Sequence, residues 1–277
     1  MFLSSARRGL TFRSDYGPWA VVTGASSGIG QAIATEVAAA GVHLVIVART
    51  GAALEAVAEK LRADHAIDVL VVRCDLGTAE GVVEVERATE RLDVGLFVAA
   101  AGFGTSGRFM DADRDTEMAM LDVNCRAVLL LSLHFARRFA ERGRGGIVLF
   151  GSVVGFQGAP WAAHYAATKA YVQTLAEGLS LELKPQGVDV LSSAPGPVRS
   201  GFADRAGMSM GAVLEPSAVA SATLRALGRR SSVAPGRLSK TLTWSLAPLP
   251  RRWRSRIMGR VMERMAVLPA ARETLND

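Results

Sequence analysis

The sequence predicts an α/β fold: a parallel sheet wound with helices on both faces. Three observations predict it. Short apolar runs recur between helical stretches from residue 19 to residue 196. The runs are nearly uninterrupted rather than alternating, so both faces of each strand are covered. A glycine-rich turn closes the first run, at the strand end where doubly wound sheets hold ligands.

The elements follow in order. WAVVTG (19–24) reads as a strand, and Ile29 to Ala40 as a helix. HLVIVAR (43–49) is a second strand, with a helix from Ala52 to Asp64. VLVVRCD (69–75) is a third, with a helix from Ala79 to Arg91. GLFVAAAG (95–102) is a fourth, before a long helical pattern over about 115–142. GGIVLFGS (145–152) is the fifth strand, Ala162 to Lys184 a helix, and VDVLSSAPG (188–196) the sixth strand. With no internal repeat and no low-complexity linker, the economical division is one domain over 19–238. It carries an N-terminal extension (1–18) and a C-terminal extension (239–277).

Hydrophobic residues make up 49% of the 277 and charged residues 21%, so a sizeable core is available and global disorder is excluded. Cys74 and Cys125 cannot form a disulfide framework, and no Cys/His cluster has zinc spacing, so no metal site is expected. A reducing, cytoplasmic compartment is expected. No stretch of about 20 apolar residues predicts a transmembrane helix. Residues 1–17 carry arginines without an apolar h-region, unlike a secretory signal; a short transit peptide is the weaker reading. The net charge of +6 is uneven. Residues 225–277 hold 12 basic and 3 acidic side chains, which leaves the body at −3. No nucleic acid is expected on the body.

Gly24, Ser26, Ser27, Gly28, Ile29 and Gly30 lie between the first strand and first helix. Glycines there admit a pyrophosphate, and the helix N-terminus supplies free N–H groups. The bland alternative is an ordinary turn; placement at the start of the sheet favours the phosphate site. The second strand ends in Ala48-Arg49-Thr50, with no acid at 47–50. A carboxylate would hold the 2′-OH of NAD, whereas Arg49 suits the 2′-phosphate of NADP, so NADP(H) is predicted. A solvated loop charge is the alternative. Asp75 either accepts from an adenine amine or caps the next turn.

Tyr165 and Lys169 stand four apart on one helix face. An ammonium beside a phenol stabilises the phenolate, so Tyr165 is a candidate general acid/base. Ser152, at the end of the fifth strand, can bond the same substrate oxygen. A Tyr–Lys pair alone is more often surface decoration; Ser152 shifts the balance.

These residues resemble the short-chain dehydrogenase/reductase family in its roughly 250-residue branch. The matching segments are TGASSGIG (23–30), Cys74-Asp75-Leu76, Asn124, Ser152, Tyr165-Ala166-Ala167-Thr168-Lys169 and Pro195-Gly196-Pro197-Val198. The resemblance implies a Rossmann-type sheet of order 3-2-1-4-5-6-7 and hydride transfer between a nicotinamide C4 and a small-molecule carbonyl or alcohol. Tyr165 would be the acid/base, and Lys169 would lower its pKa and hold the nicotinamide ribose. Ser152 would orient the carbonyl. Asn124 would hold a water of a proton relay, although a helix-kinking amide is an alternative that can hold as well. The glycine turn would cradle the pyrophosphate, with Asp75 and Leu76 on the adenine side. Pro195, Gly196 and Val198 would lie against the nicotinamide, with Ser200 adding a hydroxyl. The family pairs its two long helices, here 115–142 and 162–184, into homodimers or homotetramers.

One departure stands out. Where the family shows Asn-Asn-Ala-Gly, this chain has Ala99-Ala100-Ala101-Gly102. Ala101 and Gly102 still let a cofactor approach; some loss of local stability is expected, not of chemistry. Phe103, Gly104, Phe156, Trp161, Phe202, Met208 and Met210 are candidate pocket residues, with core or lid packing as the alternative, and point to an apolar substrate.

In the tail, Trp253, Ile257, Val261 and Met265 recur every four residues among arginines over 251–265, a basic amphipathic helix. Residues 240–265 then either lie on an anionic membrane, as a peripheral contact, or pack on the domain or a sister subunit. Deleting 240–277 is expected to spare cofactor binding and remove liposome association. Two functional classes follow: an NADP-dependent oxidoreductase, or a cofactor-binding sensor of the same fold without turnover. Dehydration or epimerisation at the same tyrosine is a weaker third.

Overall fold

The computed structural model describes residues 12–209, 211 and 213–266. Residues 1–11 of the expected N-terminal extension, Met210, and the end of the tail lie outside them. Seven strands form one parallel sheet: β1 (Trp19–Thr23), β2 (His43–Ala48), β3 (Val69–Arg73), β4 (Val94–Ala99), β5 (Gly145–Phe150), β6 (Val188–Ser193) and β7 (Ser232–Val233). Their order is β3-β2-β1-β4-β5-β6-β7, as expected. The chain builds outward from β1 in one direction, then returns to add β4 on its other side. Loops leaving β1 and β4 therefore diverge, opening a crevice at the strands' C-terminal ends.

The helices between strands are α1 (Gly28–Ala39), α2 (Gly51–Asp64), α3 (Ala79–Thr89), α4 (Arg114–Leu121), α5 (Ala127–Arg142) and α6 (Ala163–Glu182). After β6 come α7 (Phe202–Ala206), α8 (Pro216–Ala226), α9 (Arg237–Leu246) and α10 (Arg251–Met265). Two apolar layers sandwich the sheet. Val22, Leu44, Ile46 and Val98 meet Ile33 and Val37 of α1, Leu54 of α2 and Val219 of α8. Val21, Val45, Phe97 and Ile147 meet Val85 of α3, Phe135 and Phe139 of α5 and Val172 of α6. Successive strand residues thus point into opposite layers, which is why the strands read as continuous apolar runs.

Four features go beyond the sequence pattern. The long helix is two helices, α4 and α5, joined by a π-turn over Asp122–Arg126. With that turn it is long and apolar enough to cross a membrane by length and composition. Phe135 and Phe139 nevertheless sit fully buried against the sheet. Residues 12–18 are not separate from the domain: Tyr16 is buried, and its hydroxyl donates to Asp189 Oδ2 at 2.7 Å. The tail holds a second helix, α9, ahead of the expected one over 251–265.

Candidate active site

The glycine turn is shaped by close approach. Gly24 has φ +68°, and a Cβ there would lie 2.8 Å from Ala101 backbone atoms. A Cβ at Gly30 would lie 2.3 Å from the Gly24 carbonyl oxygen, so α1 can begin this near the strand only with glycine. Ser27 precedes α1 without capping it through its side chain, and the helix has no acid in its first turn. The first N–H groups therefore face the crevice available to an anion. Thr23, which the sequence reading missed, stitches this turn to the strand beyond. Its hydroxyl accepts from the N–H of Ala100 and of Ala101, both at 3.1 Å. It anchors the segment where the family's asparagines are missing; a hydroxyl ending the first strand was the available signal.

The crevice is lined by Gly24, Ser26, Ser27, Gly28, Ile29 and Gly30, by Arg49, Asp75 and Leu76 on the far side, and by Ala101, Gly102 and Ser200. Thr50 and Cys74, neighbours of the predicted Arg49 and Asp75, also line it, as do Val123 and Arg205, which were not foreseen. Arg49 Nη1 lies 3.9 Å from Asp75 Oδ2, both half exposed. Thr50 precedes α2 without capping it, and α2 also lacks an acid in its first turn. Asp75 Oδ1 accepts from Gly77 N–H at 2.9 Å, so its turn-capping role is present in the fold.

The crevice runs into an apolar cavity of about 400 Å³. Ser152, Tyr165 and Lys169 share its floor with Phe150, Val153 and Val154. Pro195, Gly196 and Val198 form one wall, Phe202 and Met208 another. Leu238 and Leu242 of α9, with Met258, Val261, Met262 and Met265 of α10, close the outside. The buried Ser239 Oγ accepts from Gly196 N–H at 2.9 Å, fixing α9 to the proline segment.

Lys169 Nζ donates to the Phe150 carbonyl at 2.9 Å and lies 5.8 Å from the centre of the Tyr165 ring. Burial pushes its ammonium down to about 8. Tyr165 is buried too, and burial raises its phenol; a hydrogen bond with the Ser152 side chain pulls the other way. Desolvation outweighs it here, because removing a phenolate from water costs more than one hydroxyl returns. Asn124 sits on the π-turn, with Nδ2 donating to Phe103 O at 2.8 Å and to Thr168 Oγ1 at 3.1 Å. Its Oδ1 accepts from Phe103 N–H at 3.1 Å. The amide thus locks the loop after β4 to α6. Gly104 passes close over Tyr165, where a Cβ would lie 2.9 Å from the ring.

The substrate-side expectations fare unevenly. Ser152 and Phe202 line the cavity. Phe103 lines the crevice instead. Trp161 lies outside the cavity lining; it adopts φ +69° just before α6 and packs beside the buried Met and Tyr165 cluster. Phe156 is a correction: it faces a groove at the β6–β7 edge with Gln173 and Trp244. The Val153–Phe156 3₁₀ turn carries Val153 and Val154 inward and swings Phe156 out. The tail stripe is also redirected. Met258 and Met262 are buried, and Ile257, Val261 and Met265 pack beside them. Deleting 240–277 would therefore remove cavity walls as well as surface.

Residues 18–209 match the short chain dehydrogenase family profile. The chain belongs to the short-chain dehydrogenase/reductase family. It is 34% identical over 187 residues to the 7beta-hydroxysteroid dehydrogenase of Clostridium sardiniense, covering 68% of this chain and 72% of that one. A short-chain dehydrogenase from Sphingobium yanoikuyae, solved in complex with NADPH, superposes with TM-score 0.77 at 33% identity, covering 83% and 92%. The bulky-bulky ketone specific alcohol dehydrogenase from Comamonas testosteroni gives 0.72 at 31%, covering 84% and 95%. As a short-chain dehydrogenase/reductase, the chain is a nucleotide-binding oxidoreductase of carbonyl and alcohol groups on small molecules, in a family that uses NAD(P)(H).

Proposed function

We propose that the protein is an NADP(H)-dependent reductase of apolar ketones or aldehydes, with Tyr165 as the acid that protonates the nascent alkoxide. One observation carries this reading: Ser152, Tyr165 and Lys169 meet at the floor of an apolar cavity that is continuous with the glycine crevice. The crevice fits a dinucleotide, because glycine at 24 and 30 lets α1 start close against the sheet and the α1 N-terminus is open to a pyrophosphate. Arg49 and the acid-free start of α2 favour a 2′-phosphate over a bare ribose. When bound, the cofactor supplies the hydride. Ser152 Oγ donates to the carbonyl oxygen and holds it near Tyr165 Oη. The phenol, kept protonated by burial, passes its proton to that oxygen as negative charge develops. Lys169, Pro195, Gly196, Val198 and Ser200 border the nicotinamide end, and Asn124 fixes the loop beneath it.

The NADPH-bound relative and the steroid and bulky-ketone relatives support both halves of the assignment. The only charged side chain lining the cavity, among the described residues, is Lys169, which gives an anionic substrate no second partner. Exposed Leu129, Leu130 and Leu133 on α5 and Tyr171 and Leu181 on α6 support a homodimer or homotetramer through those helices. The unpaired Cys74 and Cys125 suit a reducing cytoplasm.

The test is purified protein with NADPH, followed by absorbance, against carbonyls graded by size and polarity. Bulky apolar ketones are expected to turn over fastest. Arg49→Glu is expected to lower kcat/KM for NADPH by roughly 10–100-fold, the worth of one charge-assisted contact, and to narrow the preference over NADH. Polar sugars outperforming apolar ketones would remove the substrate class. Unchanged NADPH preference in the variant would remove Arg49 from the site. Cofactor binding without turnover across the panel would favour the sensor reading.

A further inference from the structure

The apolar stripe of the tail is spent inside the molecule, so what the tail shows to solvent is a different surface. Trp244 of α9 is 80% exposed and Trp253 of α10 is 52% exposed. Leu238 is exposed beside them in sequence, and Pro248 is exposed in the loop between the helices. Residues 237–265 hold eight arginines and lysines against one acid, Glu263. Arg251, Arg252, Arg256 and Arg260 are exposed, and none is in an ion pair among the described residues. The Arg256 guanidinium lies 5.4 Å from the centre of the Trp253 ring, joining a cation to an exposed indole. The positive charge is local, since residues 1–224 are net negative.

Arg254 behaves differently from its neighbours. Its guanidinium donates to the carbonyls of Leu249, at 2.7 Å, and of Ala247. Those carbonyls lie in the tip between α9 and α10. Paired in this way, they need not hold water, and the tip can leave bulk solvent at lower cost.

We propose that the α9–α10 segment seats the protein on an anionic phospholipid surface through Trp244, Trp253 and the exposed arginines. Indoles settle at headgroup depth, where the ring is shielded and the N–H stays wet. Guanidiniums pair with lipid phosphates in a fork that exposed lysines do not match. The same segment supplies Leu238, Leu242, Val261 and Met265 to the cavity lining, so the element at the lipid surface is the outer wall of the cavity. A sparingly soluble carbonyl compound dissolved in the bilayer would then meet the cavity without crossing water. This delivery step rests on the apolar-carbonyl reading; the lipid contact does not.

The full chain is sedimented with vesicles of phosphatidylcholine alone and of an equal mixture with phosphatidylglycerol. Pelleting is expected only with the mixture, and loss of it in molar salt, where screening falls to about 3 Å. Two variants separate the contributions: Trp244→Ser with Trp253→Ser, and Arg251→Gln with Arg252→Gln and Arg256→Gln. None of these side chains lines the cavity or crevice, so NADPH binding and turnover of a water-soluble ketone should be unchanged, while pelleting falls at least ten-fold. Equal pelleting on both vesicles, or pelleting of the variants like the parent, overturns the proposal. So does a concentration-dependent rise in mass that the tryptophan variant abolishes with no vesicle binding, because the surface is then a contact between copies. Vesicle binding with no turnover of any carbonyl supports the lipid contact and sinks the delivery step with the reading beneath it.

Discussion

Replacing Tyr165 by phenylalanine is expected to lower kcat for carbonyl reduction by roughly 10²–10⁴-fold, the range lost with a positioned proton donor. The cavity offers no substitute. Among the described residues lining it, the titratable side chains are Tyr165 and Lys169 alone, and Lys169 Nζ is turned to the Phe150 carbonyl. The fold should survive the change, because the ring keeps its place against Phe202, 5.3 Å away between centres. What disappears is one buried hydroxyl, worth about 1 kcal/mol of stability. NADPH binding, read by fluorescence, should stay within a few-fold of the parent. Turnover persisting within ten-fold of the parent would show that another group delivers the proton.

Exchanging Lys169 for methionine should abolish turnover and yet stabilise the fold. The ammonium's pKa falls from 10.5 in the unfolded chain to about 8 in the fold, because burial disfavours the charge. Between those values the unfolded chain binds more protons, so stability rises with pH; below about 8 the whole penalty is present. At roughly 1.4 kcal/mol per pKa unit the penalty is about 3 kcal/mol, and losing the hydrogen bond to Phe150 returns about 1. The expected gain for Lys169→Met at pH 7 is therefore about 2 kcal/mol, or roughly 4–8 °C in Tm. The difference should shrink as the pH rises from 8 to 10, since the parent then loses its burdensome proton. Melting curves of both proteins across that range test this. A variant that melts lower, or a difference that ignores pH, would mean that the charge is better compensated than its surroundings indicate. A lysine kept at such expense in a dry floor is what a site needs and a core does not.

The parallel sheet was legible because burial on both faces leaves each strand as an unbroken apolar run. Strand order became legible only through the resemblance, since β7 is two residues long and carries no hydrophobic signal. The glycine turn, Ser152, Tyr165 and Lys169 were readable because their spacing reflects local geometry: a turn that only glycine fits, and a helix that repeats every four residues. Ser239 was not readable, as it works through a hydrogen bond to backbone distant in sequence, and Thr23 offered only a hydroxyl at a strand end, its partners Ala100 and Ala101 being set by the fold. Phe156 was misplaced because proximity to Ser152 in sequence does not say which way a 3₁₀ turn swings its last side chain.

The tail marks the boundary most clearly. The sequence by itself determined that residues 251–265 form a basic amphipathic helix, because a period near four separates apolar from charged side chains whatever the helix meets. Only the tertiary structure decided what the apolar side meets. Gly259 lets α10 pass within contact of Pro160, where a Cβ would lie 3.0 Å from the proline ring. That approach commits Met258 and Met262 to the cavity and leaves the tryptophans outside. Periodicity fixes which residues share a face; the partner of that face is set by packing between segments about a hundred residues apart, which no local pattern records.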